Sequence, residues 1–95
     1  MKKTFPLKAA GKDDARVRDK IRQEINSYVR RARAKKLPEG FDSVEFTGKV
    51  GVSAAAAESR ALKEIGAEID RVAGTGAAEV YVEIIAAPVA RKFRR

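Results

Sequence analysis

The chain contains no cysteine and no histidine. The first absence excludes disulfides, thiolate nucleophiles and Cys-based zinc sites. The second removes the commonest general base and the commonest metal ligand. No apolar run approaches the about 20 residues that a membrane span needs. Phe5-Pro6-Leu7, which follows Lys2 and Lys3, is too short for the core of a signal peptide. Carboxylates, lysines and tyrosines are all that remain for catalysis. The expectation is a cytoplasmic protein that is not an enzyme and uses neither cofactor nor metal.

What is present fits one globular unit. Hydrophobic residues make up 44% of the chain and charged residues 36%, a balance typical of a folded domain rather than a disordered segment. Ninety-five residues suffice for a single core without staples but not for two. The formal charge is +8, and its distribution says more than its size. Residues 1–12 carry Lys2, Lys3, Lys8 and Lys12, residues 30–36 carry Arg30, Arg31, Arg33, Lys35 and Lys36, and residues 91–95 carry Arg91, Lys92, Arg94 and Arg95. These three acid-free segments hold 13 of the 21 bases, while the remaining eight face all 13 acids. Clustered charge on an otherwise acidic body is the footprint of a polyanion-binding surface.

Periodicity supplies the architecture. Lys3-Thr4-Phe5-Pro6-Leu7 reads as a short edge strand, because Pro6 cannot donate to a ladder. Asp13 and Asp14 cap a helix expected over residues 14–36, with Val17, Ile21, Ile25, Tyr28, Val29 and Ala32 on one face. Asp14 and Arg18 are spaced as an i,i+4 pair, and Pro38 disfavours helix at Leu37. Leu37-Pro38-Glu39-Gly40 suits a turn with proline second and glycine fourth. Residues 43–52 alternate, with Val44, Phe46, Val50 and Val52 facing one way. Gly48 on that face implies a bulge or the close approach of a helix.

Ser53 is expected to cap a second helix running to Ala73, aided by the four alanines at 54–57. Its stripe is Leu62, Ile65, Ile69 and Val72, and Gly66 marks a tight helix contact. A last strand spans residues 79–87 and stops at Pro88, leaving a flexible basic tail at 89–95. The order β-α-β-α-β, with one apolar face per element, predicts an α/β (α+β) fold. It is a two-layer sandwich of two helices on one face of a three-stranded mixed sheet.

Four features invite a functional reading. The bases at 30–36 either grip phosphate or complement the negative end of a helix dipole, which suits cations in its last turn but reaches no farther. Lys49, Gly51 and Ser53 precede an expected helix start, where free N–H groups attract anions. They lack the Gly-x-x-x-x-Gly-Lys-Ser/Thr spacing, and an ordinary capped helix explains them. Glu45, Glu79 and Glu83 share the outer sheet face, where they would repel a nucleic-acid backbone from Tyr81. Tyr81 and Ile85 on that face either stand alone or mark self-association as a homodimer.

The segments MKKTFPL, LPEGFD and YVEIIAAP resemble a family of small uncharacterised bacterial proteins, a domain of unknown function. Members often carry an aspartate and a cysteine where this chain has Thr47 and Gly48, so no thiol or metal role transfers. The resemblance implies a bacterial, cytoplasmic setting and no activity. Two readings stay open, with an enzyme using Lys49 and nearby carboxylates a distant third. One is a module binding RNA or ribonucleoprotein through the helix end together with Lys2, Lys3 and the basic tail. The other is a protein-interaction or self-associating module whose basic ends serve solubility.

Overall fold

The computed structural model describes residues 1–8 and 13–89. Strand β1 (Lys2–Pro6) leads to the long helix α1 (Asp14–Ala34) and strand β2 (Ser43–Gly51). A short strand β3 (Glu58–Arg60), a 3₁₀ turn (Leu62–Glu64), helix α2 (Ile65–Gly74) and a long strand β4 (Glu79–Val89) follow. The sheet has four strands in the order β1-β4-β2-β3, and every pair is antiparallel. This corrects the three-stranded mixed sheet expected from sequence. Covering only one sheet face is the habit of antiparallel sheets, so the polar outer face leads to this arrangement without any parallel pair.

The core lies between the sheet and both helices. Val80, Val82 and Ile84 of β4 are fully buried, and Phe5, Leu7 and Val50 join them from the neighbouring chain. Ile21, Ile25 and Val29 come down from α1, and Ile65, Ile69 and Val72 from α2. Asp13 starts α1 as expected, its carboxylate accepting from the Ala15 N–H at 3.4 Å. The helix ends at Ala34 rather than Lys36, because Lys35 is already extended (φ −68°, ψ 143°). The turn that follows sits one residue later than its sequence suggests. Phe41 N–H donates to Pro38 C=O at 3.1 Å. Gly40 thus occupies the third position with φ +90°, which a side chain would resist.

The second helix is the main departure. Residues 52–57 form turns, with the Ala56 N–H bonded to both the carbonyl and the hydroxyl of Ser53. Glu58, Ser59 and Arg60 then pair with Val50, Lys49 and Gly48 of β2. Four alanines favour helix but are too short to nucleate one alone, and the open edge of β2 offers the chain a ladder instead. Val52 therefore leaves the strand and is exposed. Helix α2 begins only at Ile65.

Two glycines make the packing possible. A Cβ on Gly48 would meet Ile65 Cδ1 at 2.7 Å, and one on Gly51 would meet the backbone of Ala57 at 2.7 Å. The close approach of a helix, rather than a bulge, accounts for Gly48. Gly66 faces Arg22 of α1, whose guanidinium donates to the Gly66 carbonyl at 3.3 Å. Asp70 of α2 receives both Arg18, at 3.1 Å, and Arg22, so Arg18 serves the helix–helix contact rather than Asp14. Beside it, the Glu68 carboxylate accepts from Arg71 at 2.9 Å and lies 3.4 Å from Arg60. The Arg71 bond, reinforced by Arg60, holds Glu68 below the usual carboxylate range despite partial desolvation.

Strand β4 runs through Pro88, contrary to the expected stop. Met1 exchanges both backbone bonds with Ile84, so the even-numbered residues of β4 direct their N–H groups towards the β1 side. At Pro88, opposite Val44 of β2, that side has passed the end of β1, and the missing N–H breaks no ladder bond. The same alternation turns the backbone groups of Lys2, Thr4 and Pro6 to the open edge of the sheet, where Pro6 is tolerated.

The two close glycines give a graded test. Gly51→Ala forces backbone apart, whereas Gly48→Ala displaces chiefly the tip of one isoleucine. In urea unfolding, Gly51→Ala is expected to cost the larger share of about 1–3 kcal/mol, and Gly48→Ala less. The reverse ranking would contradict the packing described.

Candidate nucleic-acid interface

The last turns of α1 sit over the start of β2 and the end of β4. Val29 is buried and anchors them, with Tyr28 and Ala32 half-buried beside it. Between helix and sheet at this end lies a groove of about 430 Å³. Its sheet side is Val44, Ala86 and Pro88, and its helix side is Tyr28 and Ala32. Leu37 and Pro38 close one end, and Arg31, Lys35 and Lys36 complete the lining. None of the ten lining residues is acidic.

The five bases of the opening cluster therefore separate. Arg31 follows Tyr28 by three residues and shares its side of the helix, while Lys35 and Lys36 reach the same groove from the extended chain beyond Ala34. Arg33 projects over the Phe46 ring of β2, 5.4 Å from its centroid. Arg30 is exposed away from the groove. Among the described residues, Arg30, Arg31, Lys35 and Lys36 have no carboxylate at ion-pairing distance, whereas Arg18, Arg22, Arg60 and Arg71 are all paired. Helix-end electrostatics covers Arg31 and Arg33, which lie in the last turn. It does not account for Arg30, Lys35 and Lys36, which are also without partners among the described residues.

Lys2 and Lys3 are not gathered into this groove. Lys3 pairs with Glu24 of α1 at 2.5 Å and lies 5.0 Å from the Phe5 ring centroid. It lines a second groove of about 540 Å³, with Arg16, Lys20 and Glu24, between β1 and α1. Lys2 is opposite Glu83 in the β1–β4 register. Strand β4 runs antiparallel to β1, which brings its C-terminal residues, Ala86 and Pro88, to the basic helix end. Arg91, Lys92, Arg94 and Arg95 lie outside the described residues.

The anion site expected at Lys49, Gly51 and Ser53 loses its basis. No helix starts at Ser53, Gly51 is buried against Ala57, and Lys49 stands between Glu83 and Ser59 in the sheet. The outer face also differs from a run of three neighbouring negative charges. Glu83 is flanked in register by Lys2 and Lys49, Glu79 faces Pro6, and Glu45 faces Ala87. Tyr81 is not a bare stacking surface, because its hydroxyl donates to Glu83 at 2.8 Å. Ile85 stays exposed on that face. Sequence reasoning assigned Tyr28 to the core and missed the groove. Its spacing from Arg31 and Lys35 was the available signal.

The hydrogen bond to Glu83, with some desolvation, raises the Tyr81 phenol above its ordinary value, about 10. Its contribution to stability is present below that pH and is lost as pH rises through the folded-state value. In a Tyr28→Phe background, Glu83→Gln is expected to move the phenolate absorbance titration of Tyr81 to lower pH. An unchanged titration would mean that the bond does not form in solution.

Comparison with curated proteins and with solved structures gives no match. A model of one family matches residues 1–95, and the chain thus belongs to the family of unknown function DUF6172.

Proposed function

We propose that this protein is a non-enzymatic cytoplasmic module that binds a polyanion, RNA or ribonucleoprotein, through the C-terminal end of α1. The observation that carries the reading is the contrast in partners. Arg18, Arg22, Arg60 and Arg71 in the body of the fold are spent on carboxylates, while Arg30, Arg31, Lys35 and Lys36, clustered at one helix end, are held without one among the described residues. Charges with no intramolecular role gather counterions, and phosphates that replace those ions gain the entropy of their release. Lys2 and Lys3 are minor contributors in this reading, the former facing Glu83 and the latter paired with Glu24. The outer sheet face supports the other reading, self-association, through Tyr81 and the exposed Ile85.

Five phosphate contacts, from Arg30, Arg31, Arg33, Lys35 and Lys36, give a slope of log K against log salt of about −3.5 on single strands. Arg30→Glu combined with Arg31→Glu is expected to flatten that slope by about one to two units and to weaken all sequences alike. Thermal stability should change little, since both side chains are exposed. Salt-titrated binding of mixed-sequence RNA checks this. No binding at low salt, or an unchanged slope in the double variant, would reduce the cluster to a helix end.

A further inference from the structure

We propose that the groove beneath the basic helix end seats an unstacked base, so that the module selects single-stranded RNA over duplex. This rests on the polyanion reading and adds what the polyanion must be. A site for phosphates alone needs only exposed cations. Here three cations, Arg31, Lys35 and Lys36, border a concave apolar surface that contains no acid. Tyr28 lines one side, and Pro38 and Pro88 lie on other parts of the lining. A chain of alternating phosphates and flat apolar rings matches that pattern of charge and surface. Only a single strand can offer its rings, since a duplex keeps them stacked inside.

The groove is also largely pre-formed, which lowers the ordering cost of binding. The Phe41 N–H bond to Pro38 fixes the turn at its end, and Asp42 N–H donates to Val89 C=O at 3.1 Å, tying that turn to the last strand. Tyr28 is half-buried and packed against the core. At about 430 Å³ the groove falls in the range of ligand sites, about 300–1,000 Å³. The β1–α1 groove is larger, but its lining includes Glu24, which pairs with Lys3 and would face a phosphate chain with a negative charge.

The test compares three probes of equal length at one salt concentration: mixed-sequence single-stranded RNA, its blunt duplex, and an abasic phosphodiester chain. The intact protein is expected to bind the single strand about tenfold or more tightly than the abasic chain, and also more tightly than the duplex. Tyr28→Leu, which keeps apolar bulk but removes the ring, should erase most of the preference while leaving the salt slope unchanged. Tyr28→Phe should retain the preference. The wild-type comparison decides the matter even if Tyr28→Leu fails to fold. Equal binding of all three probes would overturn the groove proposal and leave the polyanion reading standing. Failure of every probe to bind at low salt would overturn both. An acidic, leucine-containing peptide that displaces the single strand and binds more tightly than it would make the groove a peptide site and overturn the proposal.

Discussion

Val80, Val82 and Ile84 have no exposure at all, and they lie on a strand that is hydrogen-bonded on both sides. Burying each is worth about 1.5–3 kcal/mol, and the rest of the fold takes its position from that row. On one side β4 holds β1 through the register of Phe5 with Val80; on the other it holds β2 through Val50 with Val82. Because Gly48 stands opposite Ile84, β2 presents a hollow where α2 sets Ile65 against the sheet. Helix α1 then packs over both, clamped to α2 by Asp70.

The clamp bears on function as much as on packing. Opposite charges meet along the middle of α1 and over α2, where Arg18, Arg22, Arg60 and Arg71 find carboxylates. Exposed pairs of this kind are individually worth little, about 0–1 kcal/mol. Their effect is to neutralise the seam between α1 and α2 and the edge beside it. The far end of α1 contributes no such pair among the described residues, so Arg30, Arg31, Lys35 and Lys36 keep their charge uncompensated there. The tyrosine of the outer face, meanwhile, is committed to Glu83. At the groove under the end of α1, cations and apolar surface meet with no acid in the lining.

Much of this was readable residue by residue. Ile21, Ile25 and Val29 announce α1 by spacing, and Val80, Val82 and Ile84 announce β4 by alternation. Strand β3 was not readable, because Glu58, Ser59 and Arg60 carry no apolar period. They pair only because the edge of β2 lies within reach. The alanines at 54–57 misled for the complementary reason, since local preference lost to that edge. The continuation of β4 past Pro88 depends on where β1 ends, a fact about another segment altogether. The basic half of the candidate site was legible as a run of charge. Its apolar half comes from α1, the following turn, β2 and β4, and no single stretch of sequence contains it.

The placement of proline at the sheet margins has a consequence for how copies of the molecule meet. Unpaired strand edges invite other chains to add themselves, the route by which sheets grow into aggregates. Here β1 turns Lys2, Thr4 and Pro6 outward, the stretch of β4 beyond it is interrupted by Pro88, and β3 at the opposite margin is only three residues long. Each border is either short, cationic or deprived of a donor. Growth of the sheet from molecule to molecule is thereby disfavoured even in a crowded solution, and encounters between copies are directed to their faces.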